Sequence, residues 1–110
     1  MGALHLEHAV IIHLPLHEDD FGSERERAAV AVLINNLEQI VHETQVGEFD
    51  GEELGDGRCV LYLYGPDADI LFQVVEPLLK DTPLARGGFA IKRYGYAGDP
   101  DAVERRIPLR

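Results

Sequence analysis

The chain carries a single cysteine, no long apolar run, and no lysine or arginine between Arg27 and Arg58. Each shortage excludes something. A lone Cys59 cannot close an intrachain disulfide, which fits a reducing compartment, and a cytoplasmic location is expected. At a strand position it reads as a small buried hydrophobe. The apolar stretch Ala9 to Leu14 is far shorter than the about 20 residues a membrane helix needs. Glu7 precedes it, so no secretory leader and no membrane partner are expected. The gap in basic residues leaves an acidic surface. Net charge is −10, with 16 Asp/Glu and 3 Lys/Arg in residues 1–79 against 4 and 7 in residues 80–110. Such a field repels a phosphate backbone and argues against nucleic acid; a basic protein partner fits it better.

What is present is enough for one domain. At 110 residues and 45% hydrophobic content, the chain can build a core without metal or disulfide staples. The organising stretch is residues 46–65. Cys59-Val60-Leu61-Tyr62-Leu63-Tyr64 is apolar, aromatic and β-branched, as strands are. Val46 to Glu53 reads as its acidic partner strand. Asp50-Gly51 and Asp56-Gly57 supply turn dipeptides, and the tip is expected near Leu54 to Gly57.

Before this hairpin, Ala9 to Leu14 reads as a central strand that Pro15 ends. Ser23-Glu24-Arg25-Glu26 is a capping box opening a helix over 24–43. Its stripe is Val30, Leu33, Ile34, Leu37, Ile40 and Val41. After the hairpin, Asp67 caps a second helix with stripe Ile70, Leu71, Val74, Val75, Leu78 and Leu79. Pro77 inside it predicts a kink there, or a helix that changes character near Gln73. Phe89 to Tyr94 is a further strand. The tail, Glu104 to Leu109, is expected to form a short edge strand or to fray.

The order strand, helix, strand, strand, helix, strand is the ferredoxin-like split βαββαβ arrangement. Right-handed crossovers put both helices on one face of a four-stranded antiparallel sheet ordered 4-1-3-2, with the acidic strand at an edge. The more apolar set of each strand is assigned to the helix side: Val10, Ile12, Leu14, Cys59, Leu61, Leu63, Phe89 and Ile91. Ala9, Ile11, His13, Val60, Tyr62, Tyr64, Ala90, Lys92 and Tyr94 then face away. That face is too apolar to stay wet without reason. Three covers compete: the tail or the N-terminal lead-in, a second copy packed sheet to sheet, or a ligand.

Candidate chemistry is sparse. His5, His8, His13, His17 and His42 lack the spacing of a metal set, and no metal or cofactor is expected. Glu48, Asp50, Glu52 and Glu53, with Asp56, form a carboxylate cluster, but the calcium-loop pattern is not met. Along an unbroken strand Glu48, Asp50 and Glu52 would share one side. No nucleophile–base pair stands out, so no catalytic residue is assigned. Tyr62, Tyr64, Lys92 and Tyr94 make the one cationic, aromatic grouping. The RNA-binding sheet pattern is absent from it.

The run Gly47-Glu48-Phe49-Asp50-Gly51-Glu52-Glu53, then Leu61-Tyr62-Leu63-Tyr64-Gly65-Pro66-Asp67-Ala68-Asp69, Ile91-Lys92-Arg93-Tyr94-Gly95 and Glu104-Arg105-Arg106, resembles a family of short uncharacterised bacterial proteins. The likeness spans about residues 46–109 and implies no catalytic residue. The expectation is a non-enzymatic binding or regulatory module, an inhibitor or immunity-type protein toward a basic partner, and a homodimer through the open face. The alternative is a small-molecule-binding or enzymatic domain using Tyr62, Tyr64, Lys92 and Tyr94.

Overall fold

The computed structural model describes residues 8–109; the lead-in, with His5, lies outside them. The chain is α+β. In order come β1 (His8–Pro15), α1 (Glu24–Thr44), β2 (Glu48–Gly55), β3 (Arg58–Gly65), α2 (Ala68–Asp81), a short 3₁₀ turn (Pro83–Ala85), β4 (Phe89–Arg93) and β5 (Glu104–Pro108). The strands form one sheet ordered β2-β3-β1-β4-β5, and every neighbouring pair is antiparallel. The predicted order of the first four strands is found. The tail adds a fifth strand at the edge beside β4 and does not fold over the sheet.

Both helices pack on the same side. Val30, Leu33, Ile34, Leu37 and Val41 of α1 share one buried cluster with Leu71, Phe72, Val75 and Leu79 of α2. The sheet contributes Val10, Ile12, Leu14, Cys59, Leu61, Leu63 and Ala90 to that cluster. The α1 stripe is the predicted one. The α2 stripe is rotated by part of a turn. Phe72 is 5% exposed and Ile70 48% exposed, so Phe72 replaces Ile70 in the core. Residues 71, 72, 75 and 79 lie within one helical face, whereas position 70 falls about 100° from position 71 toward solvent.

Both helix starts are capped as the residue types dictate. Glu26 N donates to Ser23 Oγ at 3.0 Å, and Ser23 N donates back to the Glu26 carboxylate at 3.2 Å. At α2, Asp67 Oδ1 accepts from the amides of Asp69 and Ile70 at 2.9 and 3.2 Å. α2 runs without interruption through Pro77 to Asp81. Pro77 and Gln73 are both exposed, so the carbonyl that Pro77 leaves without a donor lies on the solvent side.

The hairpin turn is Asp56-Gly57, with φ of 53° and 74°, the two-residue turn whose twist matches its strands. Asp50-Gly51 is not a turn. Phe49 pairs with Leu63 and Gly51 with Tyr62, so Asp50 is the extra residue of a bulge inside β2. Near the other end of the hairpin the chain crosses itself closely. A Cβ on Gly65 would sit 2.4 Å from the Val46 carbonyl oxygen, which only glycine permits.

Candidate functional site

Pairing registers fix which side chains share the face away from the helices, because directly opposed residues point the same way. Three rows run across it. One is Glu53, Val60, His13, Phe89 and Pro108. The next is Gly51, Tyr62, Ile11, Ile91 and Arg106. The third is Glu48, Tyr64, Ala9, Arg93 and Glu104. Below the first row, Arg58 stands opposite Pro15.

Two assignments made from the sequence are corrected here. In β4, Ala90 opposes Ile12 and Lys92 opposes Val10, so Ala90 and Lys92 face the helices while Phe89, Ile91 and Arg93 face outward. The rule that the bulkier apolar set turns inward fails at this strand. Ala90 is fully buried, and a small side chain is what the crowded interior accepts there. Lys92 lays its stem along the core edge and keeps its head at the rim. In β2, the bulge splits the carboxylates. Glu48 and Glu53 belong to the open face, whereas Glu52 opposes Leu61 and turns to the helix side.

The predicted constellation of Tyr62, Tyr64, Lys92 and Tyr94 therefore separates into two places. Lys92 and Tyr94 join Asp69 at the start of α2. Lys92 Nζ lies 2.9 Å from Asp69 Oδ1, the Tyr94 hydroxyl donates to the same oxygen, and Lys92 Nζ is 5.1 Å from the Phe72 ring centre. His8 meets the Tyr94 ring edge-on at 5.7 Å and accepts from the Ala68 amide at 3.1 Å. The Tyr94 hydrogen bond, then Lys92, hold the Asp69 carboxyl below its usual range. Burial pulls the Lys92 ammonium down, but its contacts with Asp69 and Tyr94 outweigh that and leave it raised. Both the cation and the carboxylate are satisfied internally. The cluster fastens the N-terminus of α2 to β1 and β4, beside a surface depression of about 420 Å³ shared with Val103 and Arg105.

Tyr62 and Tyr64 stay on the open face, with a different set of neighbours. The Tyr62 hydroxyl donates to Glu53, which raises the phenol above its usual range. Arg93 lies 5.9 Å from the Tyr64 ring centre. Phe89 stacks on His13 at 4.4 Å and carries the Arg106 guanidinium at 3.7 Å. Burial, then Arg58 and Arg106, push the His13 imidazole below its ordinary value. His13 Nδ1 is buried with no hydrogen-bond partner. Ile11, Tyr62, Tyr64, Phe89 and Ile91 are each half-buried, with none of the described elements packed over them. Phe89, Ile91, Arg93 and Arg106 were missed as members of this face. The alternating tail was the available signal for Arg106, but only the β4–β5 register places it.

Cys59 is fully buried, and burial, aided by Glu52, pushes its thiol up to about 11. Among the described residues no three His, Cys, Asp or Glu side chains converge as metal ligands. Among them, too, no helix is long and apolar enough to cross a membrane. No family model, no curated protein and no solved structure matches the chain.

Proposed function

We propose that this chain is a ferredoxin-like, non-enzymatic protein–protein contact module that works through the open face of its sheet, with a second copy as its first partner. One observation carries the reading. A five-stranded sheet has both helices on one side, and the other side presents Ile11, Tyr62, Tyr64, Phe89 and Ile91 with no described element over them. An apolar, aromatic patch of that extent favours an interface, where Tyr and Phe are enriched and charge is confined to the rim. Of the charged members, Glu48 and Glu53 on β2 and Glu104 and Arg106 on β5 lie at the two edges, while Arg93 on β4 sits further in beside the Tyr64 ring. A small-molecule site built from Tyr62, Tyr64, Lys92 and Tyr94 loses its support, because the last two lie on the helix side.

The test is Tyr62→Glu, followed by size-exclusion chromatography with light scattering and by circular dichroism. A charge at the centre of a packed seam is costly. The expected result is an associating wild type and a folded, monomeric variant. A variant that associates like the wild type sinks the reading.

The β2 edge supports a second contact, toward a basic protein. Glu48, Asp50, Glu52 and Glu53 are all exposed, and no ion pair within the described residues engages them. Binding of a lysine-rich peptide should weaken and lose its salt dependence when the four are changed to Gln or Asn. Equal binding by the neutralised variant removes this second contact.

A further inference from the structure

The open face is polarised across its strands, and that polarity selects how two copies meet. Its β2–β3 side carries Glu48 and Glu53. Its β4–β5 side carries Arg93 and Arg106, with Glu104 at one corner. The central strand β1 places Ile11 and His13 between them. Two sheets packed face to face by symmetry have their two-fold axis lying in the seam. Two orientations give the aligned class of sheet packing. An axis across the strands stacks β2 on β2 and β5 on β5, so that Glu53 meets Glu48 of the other copy and Arg106 meets Arg106. An axis along β1 stacks β2 on β5 and β3 on β4.

Resting on the reading that this face is the contact surface, we infer that the partner is a second copy related by a two-fold axis running along β1, with Glu53 of each copy over Pro108 and one row from Arg106 of the other. The observation that decides it is the shape of the β2 edge. Gly51 lies in the row that ends in Arg106, and a Cβ built on Gly51 meets nothing within 4 Å. The half-turn carries this empty place, flanked by Glu48 and Glu53 on the same face, over Arg106 of the other copy. Tyr62 falls over Ile91, Val60 over Phe89, and Tyr64 over Arg93, where the guanidinium gains a second aromatic surface. Glu104 falls over Glu48 at the outer corner, and Arg93 of that same copy stands directly opposite Glu104 in the β4–β5 register. Three rows of five strands span about 19 Å across the strands and about 13 Å along them. A patch of that size lies below the about 1,200 Å² total that standard stable interfaces bury, so a weak, concentration-dependent dimer is expected.

Sedimentation over a concentration series at low salt tests the axis. Each two-fold seam contains the acid–base corner twice, and reversing one member turns both attractions into repulsions. Glu53→Arg and Arg106→Glu should each raise the dimer dissociation constant by about tenfold. Mixing the two variants should restore association as a heterodimer, and the double variant E53R/R106E should dimerise like the wild type. Under the crosswise axis, Glu53→Arg would face Glu48 and tighten the dimer instead. Tightening, or no change, overturns the inference, as does a double variant that stays dissociated. Tyr62→Glu keeps the two levels apart. If it dissociates the dimer while the charge variants leave it intact, the face is the contact surface and the axis is wrong. If it too leaves the dimer intact, both fall.

Discussion

The Glu26 carboxylate accepts a hydrogen bond from the backbone amide of His17, nine residues earlier, at 2.8 Å. The same carboxylate accepts from the Glu18 and Ser23 amides, each at 3.2 Å. The capping box thus does more than start α1. It gathers the β1–α1 loop onto the helix N-terminus, where the helix dipole also favours a negative charge. Glu26 is buried, and the His17 hydrogen bond is the main reason its carboxyl lies below the ordinary 4.5. Ser23→Ala removes one cap bond and should cost about 1 kcal/mol. Glu26→Gln should cost more than Ser23→Ala, since three amides lose a charged acceptor. A depressed carboxyl contributes stability that is complete above its unfolded value and lost as pH falls through the folded one. Chemical denaturation of wild type and Glu26→Gln should therefore converge as pH drops below about 4.

The register of β4 gives a second prediction. With Lys92 on the helix side, Lys92→Glu should lower stability by setting a carboxylate beside Asp69 and over Phe72, yet leave self-association untouched. Lys92→Met keeps the stem and loses only a rim ion pair, a change within about 1 kcal/mol. If Lys92→Glu altered association at full stability, Lys92 would belong to the open face after all. Thermal melts with light scattering decide this.

Local chemistry made most of the fold legible. The α1 stripe, both N-caps, the Asp56-Gly57 turn and the order of four strands follow from residue type and spacing. The misplaced pieces share a cause. Phe89-Ala90-Ile91-Lys92 alternates, and alternation alone does not say which set turns inward. Size argued for Phe89 and Ile91, but the space beneath α2 takes Ala90. Asp50-Gly51 signals a turn and a bulge alike. Ile70 and Phe72 both fit a helical stripe, and only the sheet below chooses between them. For the contact face, Ile11, His13, Val60, Tyr62 and Tyr64 were legible from the alternation of β1 and β3, whereas Glu48 and Glu53 come to share it only through the bulge at Asp50. Phe89, Ile91, Arg93 and Arg106 needed pairings between segments that sequence patterns do not align.

Gly65 closes β3 where Val46 crosses it. The Val46 carbonyl oxygen lies 2.4 Å, and the Gly47 Cα 3.3 Å, from where a Cβ would be. These are backbone atoms, so no side chain can swing aside. Gly65→Ala should cost about 1–3 kcal/mol by forcing the crossing apart. Gly51→Ala, in open space, should fold with near wild-type stability. Urea midpoints of the two variants give the comparison, and an unaffected Gly65→Ala would mean that the crossing relaxes freely.

His13 is expected to make the fold sensitive to mild acid. Its ring stacks on Phe89 and its Nδ1 is buried without a partner, so a proton gained there finds no acceptor. Around it stand Val60 of β3, Phe89 of β4 and the guanidinium groups of Arg58 and Arg106, which oppose a further positive charge. Burial is the larger cause, and together they lower the imidazole below its ordinary 6.5. The sign follows from proton linkage. Above the ordinary value His13 is neutral whether folded or not and costs nothing. As pH falls below it, the unfolded chain takes up the proton first and gains stability over the native state. Stability is therefore expected to drop between about pH 6.5 and the lowered native value, and then to level off. His13→Phe preserves the stacking on Phe89 and removes the titration. Urea unfolding at pH 7.5 and pH 5.5 should show a loss in the wild type that is smaller in the variant. Equal losses in both would place the proton uptake elsewhere and leave His13 as a packed ring with no role in the acid response.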